Sequence, residues 1–235
     1  MPGTSCQSDS MTKPHAFVTA GPAREPLDEV RWLTNRSSGG LGVHLAATLA
    51  DAGCDVTLFL GMGATVPVPD SAVRTLRFET NASLAQALER ESDTHPDAVF
   101  HAAALCDFTP ASGASTGKIR SDLPKLSLDL IPAPKVIASL RRIFPDALLV
   151  GWKYEVDAGE GRTSIIARGL DQMKRNATDA CVLNGPAWGN GFGLITNPEG
   201  QPEILDNVTL LCVRLARSLK DVWRARLDSN QRPAA

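Results

Sequence analysis

The chain has 235 residues, of which 43% are hydrophobic and 21% charged, with a formal net charge of −2. That length supports a full-sized core, and near-neutral charge gives no footprint for nucleic acid or an anionic membrane. Apolar runs such as VTLFL and ALLVGW are strand-sized, so no segment is predicted to span a bilayer.

Residues 1–14 lack the apolar stretch of a signal peptide and read as a flexible polar tail, as do residues 225–235. One domain is expected over 15–224. The five cysteines (Cys6, Cys54, Cys106, Cys181 and Cys212) include no CxxC pair, are odd in number and mostly sit among apolar residues. They read as reduced thiols and point to a cytoplasmic address.

In chain order, HAFVTA is a first strand ended by Gly21-Pro22. A helix follows over SSGGLGVHLAATLADAG, with Leu41, Leu45, Leu49 and Ala52 on one face, a serine cap before it and Gly53 after it. DVTLFL (55–60) and AVRTLRF (72–78) read as strands, ASLAQALERE as a helix introduced by Asn81, and DAVFHAAAL as a strand. KLSLDLI (125–131) alternates at period two, and PKVIASLRRIF is a helix beginning with Pro134. ALLVGWKYE is a strand, SIIARGLDQMKRN a helix, DACVLN a strand and GFGLIT a late strand in an antiparallel pair; NVTLLCVRLARSLKDVW closes the chain as a helix. This alternation predicts an α/β fold: a doubly wound, mostly parallel, Rossmann-like sheet with helices on both faces. Ligands of such sheets gather beyond the carboxyl ends of the strands, so loops 21–38 and 105–124 should lie together.

Ser37, Ser38, Gly39 and Gly40 put free backbone N–H groups and hydroxyls at a helix N-terminus, which is an anion site or simply a serine-capped helix. The spacing matches neither GxGxxG nor GxxxxGK[ST]. Arg24, Glu25, Asp28, Arg31 and Asn35 crowd the same loop.

Taken together, GPAREPLDEVRWLTNRSSGGLG, AAALCDF (102–108), KIRS (118–121), PKVI (134–137), GWKYE (151–155) and DACVLNG resemble phosphopantothenoylcysteine synthetase, in that family's order. The resemblance implies a ligase that activates the carboxylate of 4′-phosphopantothenate with a nucleoside triphosphate and magnesium. Cysteine's amine then displaces the nucleoside monophosphate. It also implies the monofunctional form without FMN, a homodimer with an active site completed across two subunits, and no nucleic-acid or membrane partner. Apolar residues of GFGLIT are expected to help bury the dimer contact.

By that resemblance Asn35 handles the carboxylate and its acyl-nucleotide, and Arg31 pairs with a phosphate or the carboxylate. Lys118 neutralises the triphosphate, and Asp107 contacts the nucleotide. His101, Ala102 and Ala103 border the base; Pro134, Lys135, Val136 and Ile137 start the helix beside it; Trp152 packs there. Lys174 and Arg175 stand in for a family lysine pair, and Ser37, Ser38 and Gly39 hold substrate phosphate. The magnesium ligands are not identifiable.

Gly40 replaces a basic residue of the family's SSGKMG, and PAPK (132–135) replaces KNPD. CTP and ATP both stay open, with SSGG and PKVI tilting toward CTP. Two other readings remain: an NAD(P)-dependent oxidoreductase, although DVTLFL ends in Leu60-Gly61-Met62 without an acid, and a non-catalytic nucleotide-binding relative.

Overall fold

Residues 13–68, 73–157, 159 and 161–230 are described by a computed structural model. The elements are β1 (His15–Ala20), β2 (Arg24–Pro26), β3 (Trp32–Thr34), α1 (Gly40–Asp51), β4 (Asp55–Gly61), β5 (Arg74–Phe78), α2 (Asn81–Arg90), β6 (Ala98–His101), β7 (Phe108–Pro110) and β8 (Leu130–Pro132). They continue with α3 (Ile137–Ile143), β9 (Leu148–Tyr154), α4 (Gly161–Asn176), β10 (Ala180–Asn184), β11 (Phe192–Ile195), β12 (Glu203–Leu205) and α5 (Val208–Asn230).

Among the described residues the main sheet runs β12-β11-β10-β9-β6-β1-β4-β5. From β10 to β5 the neighbours are parallel, while β11 and β12 are each antiparallel to the strand before. This is the doubly wound sheet expected from the sequence. Its strands are near-continuous apolar runs because both faces are covered. In β1, successive side chains supply opposite faces: Val18 joins Leu45, Leu49, Leu215 and Leu219 beneath α1 and α5. Phe17 joins Leu84, Leu88 and Leu140 beneath α2 and α3. Ile165 and Met173 of α4 pack on Cys181 and Leu183.

Several boundaries differ from the sequence reading. The residue that caps α1 is Gly39, at φ +81°, not a serine; a Cβ there would also lie 3.2 Å from Ala64 Cβ. The cap of α2 is Thr80, in a reciprocal box with Ser83, which leaves the Asn81 side chain for other work. Helix α3 begins at Ile137 rather than Pro134, because Ala133 N–H still donates to Asp107 O and keeps the chain extended. Of KLSLDLI, only Leu130 and Ile131 are in a strand, and Leu126 and Leu128 are exposed. The expected tail from 225 is helical through Asn230, where Arg226 donates to Asp97 at 2.8 Å. Residues 1–12 of the other expected tail, with Cys6, lie outside the described residues, as does Ala72 of the expected strand 72–78. Cys54, Cys106, Cys181 and Cys212 are free and buried. Among the described residues no helix is long and apolar enough to cross a membrane.

Candidate active site

Strand order reverses between β1 and β6, and both chains stay paired past the strand ends. Ala102 N–H donates to Thr19 O (3.1 Å), Ala104 N–H to Gly21 O (2.9 Å) and Ala23 N–H to Ala104 O (3.1 Å). Alanine and glycine give this floor a low profile that lets a flat group approach the backbone. Below it, Gly42 packs so closely that a Cβ would sit 2.4 Å from Ala20 Cβ. The His101 ring is buried, with Nδ1 2.9 Å from Thr19 Oγ1, and burial depresses its pKa to about 4. It is therefore neutral at physiological pH.

Two ribbons rise from this floor. β2 and β3 form a hairpin after β1; β7 and β8 form a second ribbon carrying the long 111–129 loop. The two touch, as the sequence reading expected of loops 21–38 and 105–124. Asn35 Nδ2 donates to Leu105 O at 2.7 Å. Ser115 N–H donates to Leu27 O (3.0 Å), and Glu29 N–H to Gly117 O (3.3 Å).

Asp28, 2% exposed, sits where the ribbons meet. Its carboxylate accepts Val30 N–H (2.8 Å), Arg31 N–H (2.7 Å), Ile119 N–H (2.9 Å) and the Arg31 guanidinium (2.5 Å). Burial pushes its pKa up, but these donors together outweigh it and bring the group to about 2. Arg31 also donates to Ile119 O at 3.2 Å, so it is engaged with Asp28 and the loop rather than held out toward solvent.

Asp107 and Lys135, assigned separately to the nucleotide, form an ion pair with both side chains exposed. Behind them, Asn81 brackets Cys106: its Nδ2 donates to Cys106 O (2.8 Å) and its Oδ1 accepts Cys106 N–H (3.1 Å). Buried Glu25 accepts Asn81 N–H at 2.8 Å. At the start of α1, Ser37 Oγ accepts Gly39 N–H (3.3 Å) and Ser38 Oγ accepts Gly40 N–H (3.2 Å). Those two amides are thus not free, contrary to the sequence reading; an incoming anion would exchange with the serine oxygens.

A family model of the DNA/pantothenate metabolism flavoprotein C-terminal domain matches residues 11–199. The chain belongs to this family. It is 34% identical over 176 residues to the coenzyme A biosynthesis bifunctional protein CoaBC of Thermococcus kodakarensis, covering 74% of this chain and 42% of that one. The chain spans about half the length of the curated relatives it matches. Its fold is that of the DNA/pantothenate metabolism flavoprotein from Streptococcus pneumoniae, at TM-score 0.78 and 21% identity over 89% of this chain and 99% of that one. A Cab2 variant in complex with phosphopantothenate-cysteine also shares the fold, at TM-score 0.74 and 18% identity over 92% and 89% of the two chains.

Within this flavoprotein C-terminal domain fold, His101 ends β6, and Arg31, Asn35, Ser37 to Gly39, Ala102, Ala103, Asp107, Lys118 and Lys135 belong to the segments after β1 and β6. Lys118 is exposed on the clasped loop. Pro134 and Lys135 are exposed before α3, whereas Val136 is buried and Ile137 half-buried, which makes those two packing residues. Trp152 packs against the α1–α5 face of the core, with a buried Nε1 that has no hydrogen-bond partner among the described residues.

Lys174 and Arg175 do not join the site. They end α4, which leads into the amino end of β10, so the parallel sheet separates them from the carboxyl ends; Arg175 pairs with Asp171 at 2.5 Å. A cavity of about 390 Å³ lined by Tyr154, Asn184, Phe192 and Asp206 opens at the carboxyl ends of β9 and β10. Its lining includes none of the expected residues and no lysine or arginine, so it does not suit a triphosphate. The role of Asp28 and the Asn81 bracket were not foreseen, although Asn81 at a helix start already preceded by a threonine was a usable signal.

Proposed function

We propose that this chain is a phosphopantothenate–cysteine ligase of coenzyme A biosynthesis. A carboxylate oxygen of 4′-phosphopantothenate attacks the α-phosphorus of CTP or ATP, and pyrophosphate leaves. Cysteine's amine then attacks the acyl carbon, loses a proton and expels the nucleoside monophosphate. The observation that carries this reading is the junction of the Asn35 loop with the Lys118 loop over the small-residue floor between β1 and β6. Family membership, the names of the relatives and the ligand of the Cab2 variant support it.

In this reading one hydrogen of the Asn35 amide stays on Leu105 O and the other serves the acyl oxygen, adding no competing negative charge. Lys118 offers a point charge to the leaving pyrophosphate. Magnesium that rides on a triphosphate needs only one or two protein carboxylates, and exposed Asp107 fits that need. The metal would neutralise phosphate charge there. A dinucleotide oxidoreductase finds no support, since β4 ends at Gly61, followed by Met62, without an acid for a ribose.

A mixed anhydride held away from water predicts the order of events. Without cysteine, phosphopantothenate with CTP or ATP should release pyrophosphate in a burst of about one per site, and cysteine should start steady turnover. Parallel trials with the two nucleotides decide which is used. A strict need for cysteine before any pyrophosphate appears would defeat this order.

The active unit is proposed to be a homodimer, but not through GFGLIT. Gly193, Leu194 and Ile195 are buried within the chain's own sheet. A group of exposed apolar side chains does lie on the β7–β8 ribbon and its loop: Phe108, Leu123, Leu126, Leu128 and Ile131 are 46–49% exposed. Light scattering of the wild type should give twice the chain mass, and a Leu126→Glu, Leu128→Glu double variant the chain mass. Identical masses would exclude the ribbon as the contact.

A further inference from the structure

We propose that Asp28 is the positioning residue for Lys118, fastening the lysine loop to the β2–β3 hairpin by its ionised carboxylate. This rests on the reading that Lys118 serves the leaving pyrophosphate. Lys118 is exposed, and between β7 and β8 the described chain forms no helix or strand. A lysine on such a segment has no fixed origin from which to reach a phosphate. Here both its neighbours are pinned. Gly117 N–H donates to Glu29 Oε1 at 3.1 Å, and Glu29 N–H returns a bond to Gly117 O. Ile119 N–H donates to Asp28 Oδ2 at 2.9 Å, and Arg31 donates to Ile119 O.

The two oxygens of Asp28 do separate jobs. Oδ1 takes Val30 N–H and Arg31 N–H, which shapes the hairpin tip as an aspartate or asparagine turn does. Oδ2 takes Ile119 N–H and the Arg31 guanidinium, which joins the tip to the loop. Arg31 also cancels the carboxylate's charge, so an acid can stand close to a phosphate site without repelling it. An asparagine would keep the first job and lose the second, since its NH₂ would face two other donors. Asp28→Asn should therefore release the loop and leave the hairpin formed.

The test uses the full chain with phosphopantothenate, cysteine and the preferred nucleotide, in Asp28→Asn, Lys118→Met and the double variant. Asp28→Asn should lower kcat about tenfold, with less change in KM, but less than about twofold when Lys118 is already methionine. Amide exchange should quicken at Gly117 and Ile119 and stay unchanged in β1 and α1. Glu29→Ala, which removes only the bond to Gly117, should quicken Gly117 with a smaller kcat loss, and it stands in should Asp28→Asn fail to fold. The same fold loss in both Lys118 backgrounds would overturn the proposal, as would unaltered exchange at Ile119 in Asp28→Asn, or at Gly117 in Glu29→Ala. A wild-type chain that releases no pyrophosphate with either nucleotide would instead overturn the ligase reading, and the exchange data would still decide the clasp.

Discussion

Lys118→Met is expected to lower kcat for pyrophosphate release a hundredfold or more while leaving the melting temperature almost unchanged. The side chain is exposed, so its loss should change stability by no more than about 0.5 kcal/mol. The proposed reaction moves negative charge onto departing pyrophosphate, and removing one preorganised partner of such charge typically costs about 2.7–4 kcal/mol of transition-state stabilisation. Methionine keeps most of the side chain's length and flexibility, which isolates the charge as the variable. Thermal melts by circular dichroism and steady-state pyrophosphate assays read the two quantities separately. A folded variant turning over at near the wild-type rate would remove Lys118 from the reaction.

Mild acid should destabilise the protein through His101. Its folded pKa, depressed by burial to about 4, lies below the unfolded value near 6.5. Between those values the unfolded chain binds a proton that the native ring refuses, so stability falls as pH falls through that window. The full difference corresponds to on the order of 3 kcal/mol. Asp28 acts in the same direction but in a lower window: its pKa is lowered to about 2, so its contribution is complete above about pH 4 and is lost only as pH falls toward 2. Urea midpoints measured from pH 7 to pH 4.5 should drop steeply for the wild type and less for His101→Gln. His15, also lowered by burial, contributes in the same direction, which is why the two proteins must be compared. Parallel slopes would show that His101 is not the titrating group.

The core elements were legible because their signal is local. Leu45 and Leu49 repeat at helical spacing, and FVTA and VTLFL are unbroken apolar runs, so the parallel sheet and its helices could be read from the chain. The site was half legible. The residues after the first and fourth parallel strands were expected together because sheet topology requires it, and they are. What could not be read was how they are held. Asp28 acts across 91 residues on Ile119, and Asn81 across 25 on Cys106, and no periodicity marks such pairs. KLSLDLI alternates like a half-buried strand, but only Leu130 and Ile131 find a strand partner, in β7, and alternation alone does not supply one. Lys174 and Arg175 were placed by resemblance alone, and helix direction sends them to the wrong end.

The way the main sheet stops at its two sides bears on where copies of the chain would meet in the proposed homodimer. At one side β12 is only three residues long, too short to template a further strand. At the other, β5 carries Arg74 and Arg77, and Arg74 is doubly bonded to Glu91 at 2.6 and 2.8 Å. Both are devices that discourage edge-to-edge aggregation. A sheet so guarded leaves the separate β7–β8 ribbon, with open backbone edges and apolar side chains, as the natural place for strand pairing between subunits. The proposed homodimer would thereby meet through the segment that carries the lysine loop rather than through the main sheet.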